Sequence, residues 1–153
     1  MVSVLDVAQY ILSKVGSLTT WKLQKLCYYS QAWSLVWDDK PLFKERIEAW
    51  ANGPVIPALY KIHQGEYSIT SIKEGDPSKL NKMQRETIDA VIGVYGPKDS
   101  NWLSELTHCE APWINARQRG RLGPGERGNS EITLADMSEY YGGLYGETPT
   151  EKT

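Results

Sequence analysis

The segment Trp21–Trp37, WKLQKLCYYSQAWSLVW, constrains the fold more than any other. Apolar or aromatic side chains fall on nearly every side of the helix it would form, leaving Lys22, Lys25 and the glutamines as the polar remainder. Such a helix cannot lie on a surface with one face in water; it has to be surrounded by others. Thr19 is placed to cap it, with Leu18 and Leu23 at the positions of a hydrophobic staple, and the helix should run to about Trp37.

The neighbours are legible on either side. Val4, Val7, Ala8, Ile11, Leu12 and Val15 recur at spacings of three and four, predicting a helix that Gly16 ends. Asn81 with Gln84 forms a capping box ahead of Met83, Thr87, Ile88, Val91, Ile92 and Tyr95, a helix closed at Gly96 and Pro97. Asp99 or Ser100 opens a shorter helix through Leu103 and Leu106. Ala111-Pro112-Trp113 restarts the chain with proline near the first helical position, and Thr133 with Asp136 caps a last helix through Met137 and Tyr140.

Between these elements, Phe43–Trp50 alternates loosely enough for a short strand, and Asn52-Gly53-Pro54 breaks the chain sharply before a short helix led by Pro57. Residues 66–78 read as a mobile connecting loop or weak strand. Residues 116–129 hold Arg117, Arg119, Arg121 and Arg127 among four glycines and read as a basic, flexible loop. The expectation is a mainly α, single compact domain over residues 1–145. About six or seven helices surround the central aromatic-rich helix, with room for a small two- or three-stranded β element, and residues 146–153 form a polar tail.

Composition narrows the function classes. A chain of 153 residues fits one domain, and six Trp and nine Tyr against one Phe imply a core of rings with polar edges. Seventeen basic against nineteen acidic residues leave a net charge of −2, without the positive field that general nucleic-acid binding needs. Cys27 and Cys109 have no metal-ligand or disulfide spacing and read as reduced thiols of a cytoplasmic protein; no apolar run is long enough to span a bilayer. No catalytic, metal or cofactor motif stands out: His63 and His108 lack an H-E-x-x-H or nucleophile-elbow setting, and Gly123-Pro124-Gly125 lacks the lysine of a phosphate loop. The four arginines could wrap an acidic protein surface or a nucleic-acid backbone, or be solvated. In WANGPV the Trp50 ring either packs inward or helps display a surface.

An ordered set of residues resembles the Panacea domain of phage-associated GepA-like proteins and SocA-like antitoxins. It comprises Leu23, Gln24, Lys25, Leu26, Cys27, Tyr28 and Tyr29, then Ala32 and Trp33, then Pro41-Leu42-Phe43. Trp50, Asn52, Gly53, Pro54 and Val55 follow, with Pro57 and Tyr60, and then Leu106-Thr107-His108, Pro112, Trp113 and Ala116-Arg117. The likeness spans roughly residues 5–142; Cys27 and Ser34 stand where leucine and histidine are commoner. The resemblance implies a non-enzymatic antitoxin of a type II toxin–antitoxin system that neutralises a cognate toxin by direct protein contact in the cytoplasm, and it leaves the toxin's target open; the expected toxin is a growth inhibitor that stops translation. It also implies that the motif is mainly scaffold, and the basic loop, with Arg117, Arg119, Arg121 and Arg127, is then the candidate toxin-binding segment alongside residues 66–78. Three alternatives stay open: an adaptor handing the toxin to a cytoplasmic protease, an enzyme using His63 or His108, and a nucleic-acid role for the arginines.

Overall fold

The computed structural model describes residues 2–147. Among them seven α-helices are accompanied by two small antiparallel sheets, in the order α1 (Val4–Val15), β1 (Leu18–Thr19), α2 (Thr20–Trp37), β2 (Ile47–Trp50), β3 (Gly53–Val55), α3 (Pro57–His63), β4 (Ser68–Ile69), α4 (Lys82–Tyr95), α5 (Ser100–His108), α6 (Ala111–Arg119), β5 (Glu131–Ile132) and α7 (Leu134–Glu147). The mainly α architecture expected from the sequence is the one observed.

The central helix is α2. Thr19 Oγ1 accepts from the Lys22 amide at its start, and the helix packs against α1, α3, α4, α5 and α7. Almost every residue from Leu23 to Ser34 is buried. Lys25, Gln24 and Gln31 are therefore not a polar face. They are 1%, 0% and 1% exposed, because their side chains satisfy backbone groups of segments that would otherwise have no partners. Gln31 shows the logic: its Oε1 accepts from the Leu42 and Phe43 amides at 2.7 and 3.2 Å and its Nε2 donates to the Phe43 carbonyl at 2.8 Å. With Gln31 occupying that backbone, the strand expected from Phe43 begins only at Ile47.

Caps set the other helix ends. Ser3 and Asp6 form a reciprocal capping box on α1, Asn81 and Gln84 do so on α4, Asp99 caps α5, and Thr133 Oγ1 accepts from the Asp136 amide on α7. Val15, read from its spacing as part of the α1 stripe, is the largely exposed last residue of that helix.

The three-stranded sheet has the order β3-β2-β5, with Trp50 opposite Gly53, Ala49 opposite Pro54 and Ile47 opposite Ile132. The sharp break at Asn52-Gly53-Pro54 is thus a tight hairpin; Gly53 has φ +129°, where a side chain would be strained. A second pair, β1 with β4, ties residues 66–69 to the start of α2. Ile72 in the following stretch is 1% exposed, and the Asp76 amide donates to Asp6 Oδ1, so residues 66–78, expected to be mobile, are anchored on α1. The expected loop over residues 116–129 begins only after α6, whose last turn contains Arg117 and Arg119. Of the expected tail, residues 146 and 147 continue α7, and 148–153 lie outside the described residues.

Candidate functional site

The β2–β3 hairpin is gripped from two sides. From α2, Gln24 brackets the Ile56 backbone, accepting its amide at 2.8 Å and donating to its carbonyl at 3.3 Å, while Lys25 Nζ donates to the Pro54 carbonyl at 3.3 Å. From α6, Trp113 Nε1 donates to the Trp50 carbonyl at 2.8 Å and Arg117 Nη1 to the Ala49 carbonyl at 3.1 Å. Motif residues from the two halves of the chain meet at this hairpin, and its position relative to α2 is fixed by hydrogen bonds to its backbone.

The grip leaves an aromatic hollow of about 670 Å³ on the outer side. Trp21, Trp50 and Tyr60 form its wall, Asn52 lies at the hairpin tip, and Arg127 and Asn129 contribute to the opposite rim. Trp50 meets Tyr60 edge-on at 4.9 Å, and Trp50 Nε1 donates to Glu48 Oε1 at 2.9 Å, so two of the rings are held in place. Trp21, at the second position of α2, is 37% exposed although the helix around it is buried. Rings of this kind presented beside an arginine are the commonest anchors of protein interfaces.

A smaller recess of about 260 Å³ shares Trp21 and Asn52 with the hollow and is otherwise lined by Lys25, Ser100, Asn101 and Ser104. Lys25 is wholly enclosed, and burial pushes its ammonium down from the ordinary value of 10.5 to about 7. A third hollow, apolar and also of about 260 Å³, lies between α2, α4 and α7, with Trp33, Val94 and Tyr145 in its walls.

The four arginines do not form one patch. Arg117 is 5% exposed, and its guanidinium donates to the carbonyls of Ala49, Gly123 and Glu126, which folds the loop back onto α6. Arg119 pairs with Asp136 at 2.7 Å and bonds the Glu131 carbonyl, fastening α6 to β5 and α7. The side chains of Arg121 and Arg127 are exposed and make no hydrogen bond or ion pair among the described residues; Arg127 alone of the four lines the hollow.

The titratable groups raised as catalytic candidates sit in structural settings. His63 is 1% exposed, its Nε2 meets Gln24 Nε2 at 3.0 Å, and burial lowers its pKa, so the ring is neutral and accepts from the amide. His108 stacks on Trp113 at 4.1 Å and is lowered by burial and then by the nearby Lys25 ammonium; its Nε2 is buried without a hydrogen-bond partner. Burial raises the Cys27 thiol. Glu110 accepts from both Tyr29 and Tyr141 hydroxyls at 2.7 Å, in a core network where Tyr29 stacks on Tyr95 at 4.0 Å; burial raises the carboxyl despite those bonds. Among the described residues no three His, Cys, Asp or Glu side chains gather as a metal site, and no helix is long and apolar enough to cross a membrane.

Sequence reasoning did not single out Trp21 or the burial of Lys25. Trp21 carried a signal: a tryptophan in the first turn of the helix, before the densest run of apolar residues begins.

Compared with known proteins, residues 23–114 match the family model described as antitoxin SocA-like, Panacea domain. The match covers more than half of the chain. It is shorter than the 5–142 span of the sequence resemblance and stops within α6, so the 120–129 loop and α7 lie outside it. No curated protein and no solved structure matches the chain.

Proposed function

Because the chain belongs to the SocA-like antitoxin family of Panacea domains, we propose that it is the antitoxin of a type II toxin–antitoxin pair and neutralises its toxin by seating it on the aromatic hollow. The observation that carries this reading is the exposed Trp21 ring beside Trp50, Tyr60 and the unpaired Arg127. An indole held on a rigid helix loses little conformational freedom on contact, and an arginine at the rim adds charge-assisted hydrogen bonds to a partner carboxylate or carbonyl. In this reading the toxin is a growth inhibitor that stops translation in the cytoplasm; the family resemblance carries the antitoxin role and leaves the toxin's target open.

The test is co-expression with the product of the adjacent gene, reading growth and incorporation of labelled amino acid. The wild-type chain restores both. Trp21→Gln and Arg127→Glu abolish rescue; the urea midpoint of Arg127→Glu stays near wild type and that of Trp21→Gln falls modestly, since the indole packs on Tyr60, His63 and Lys25. Full rescue by both variants would sink the hollow as the contact surface. An adjacent product harmless on its own would sink the antitoxin role itself.

A further inference from the structure

Lys25 is a buried cation that no described carboxylate answers. Among the described residues it makes no ion pair, and its one hydrogen bond, to the Pro54 carbonyl, uses one of three N–H donors. Arg117, equally buried, shows what a satisfied cation looks like here, with three carbonyls around it. The Trp21 ring at 5.5 Å gives Lys25 a weak cation–π contact, and the titratable group of α5 that feels its charge is the imidazole of His108, which the Arg117 guanidinium and the Glu105 carboxylate also influence. Enclosing such a group without a counter-charge is unfavourable unless the ammonium loses its proton or an anion arrives.

The recess beside it is built from donors. Ser100 and Asn101 are the first two residues of α5, so the positive end of that helix lies at the same space, and Asn52 and Asn101 add side-chain amides; the hydroxyls of Ser100 and Ser104 are engaged with Thr19 Oγ1 and the Asn52 carbonyl. No acidic side chain lines it. Asp99 is turned to cap α5, accepting from the Trp102 amide at 2.8 Å; Lys22 and Lys98 are engaged elsewhere, with the Gly96 carbonyl and the Trp102 ring. The lip is closed by one hydrogen bond, from Ser104 Oγ to the Asn52 carbonyl, at the exposed hairpin tip.

We infer that this recess accepts the carboxylate of an aspartate or glutamate side chain from the partner protein, which ion-pairs with Lys25 while the adjoining segment of the partner lies on the aromatic hollow. The inference rests on the antitoxin reading. It commits to a protein carboxylate because the recess shares Trp21 and Asn52 with the hollow, so a chain seated in one passes the mouth of the other.

The experiment has two arms. In the first, the isolated chain carrying ¹³C-labelled lysine is titrated with N-acetylglutamate α-amide and, separately, with inorganic phosphate. Because a single ion pair binds weakly, concentrations up to about 0.1 M are required. The Lys25 Cε resonance should move saturably with the glutamate probe and the other lysines should not; no movement, or saturation by phosphate alone, overturns the inference. In the second arm, Lys25→Met, which keeps the buried stem, is measured against the adjacent-gene product by calorimetry, with circular dichroism to establish its fold. Affinity should fall at least about tenfold, the size of one desolvated charge pair. Unchanged affinity in a folded variant overturns the recess inference and leaves the antitoxin reading standing. If wild type itself does not bind that product, the antitoxin reading has failed, and with it the inference.

Discussion

Lys25 gives the largest energetic expectation in the molecule. Its ammonium is depressed from 10.5 to about 7 by burial, and a shift of that size corresponds to about 5 kcal/mol of differential interaction between its two protonation states. The sign follows from proton counting: between these two pKa values the unfolded chain holds a proton that the folded chain has released, so folding stability rises with pH across that window. Between pH 7 and 9 the rise amounts to about 2 kcal/mol, which at a urea dependence of about 2 kcal/mol per molar moves the midpoint up by about 1 M. That interval ends where the raised thiol of Cys27 only begins to pull the other way, a contribution common to wild type and Lys25→Met, and short of the range of the hydroxyls of Tyr10 and Tyr95, both pushed up to about 12. His63 and His108 are lowered and are already neutral there. The assay is urea unfolding of wild type and Lys25→Met at half-unit pH steps. Lys25→Met should be more stable by about 2–3 kcal/mol at pH 7, the relief of the buried charge less the cost of leaving the Pro54 carbonyl without its donor, and the difference should shift against it by about 2 kcal/mol by pH 9. A difference between the two proteins that stays flat across the interval would refute the reasoning, because it would mean that Lys25 titrates as an ordinary solvated lysine.

Gln31→Ala strips partners from the Leu42 and Phe43 amides and the Phe43 carbonyl; it should cost about 2–4 kcal/mol, read from the urea midpoint, with faster hydrogen exchange at residues 42 and 43. Arg117→Met leaves three carbonyls unanswered and should cost about 3–5 kcal/mol. Arg121→Gly should stay within about 0.5 kcal/mol by the same assay, because the side chain is exposed and the backbone at φ 54° suits glycine. Glu110 has a raised pKa, so the folded state holds its proton more tightly and stability falls as pH rises from the ordinary carboxyl value through the raised one. Glu110→Gln keeps an acceptor for Tyr29 and Tyr141 and should flatten that part of the stability profile, measured by urea midpoints between pH 4 and 7.

What the sequence made legible follows the range of the interactions. The caps at Thr19, Asn81, Asp99 and Thr133 act within three residues of themselves, and each is where the sequence puts it. The Ser3–Asp6 box is equally local, closing within the first turn of α1. The sequence pattern shows Lys25, Gln24 and Gln31 only as the polar remainder of a surrounded helix, without saying what each would bond. Their backbone partners lie up to 32 positions away, at residues 42, 43, 54 and 56, and nothing in the local pattern announces them. Arg117 was misplaced for the same reason: its neighbours in sequence are glycines and arginines, whereas its first partner is the Ala49 carbonyl, 68 positions earlier. The hollow was half legible, since WANGPV was recognised as a turn beside a large ring, but Trp21 and Arg127 join it only through the fold.

This arrangement bears on how binding defects should be interpreted. Trp21 and Lys25 stand four residues apart on one face of α2, so the exposed ring and the buried ammonium are held on a single rigid rod. The other wall of the site, the hairpin bearing Trp50 and Asn52, is located by Gln24, Trp113 and Arg117, none of which lines the hollow. Loss of any of these three moves the hairpin relative to Trp21 and weakens binding without a contact being removed, and it also lowers stability, because a backbone group is left without its partner. Loss of Trp21 or Arg127 removes a contact and leaves the hairpin where it was. Binding and urea midpoint therefore fall together for the scaffold residues and separate for the interface residues. The ratio of the two changes, rather than the binding loss alone, tells which kind of residue has been altered.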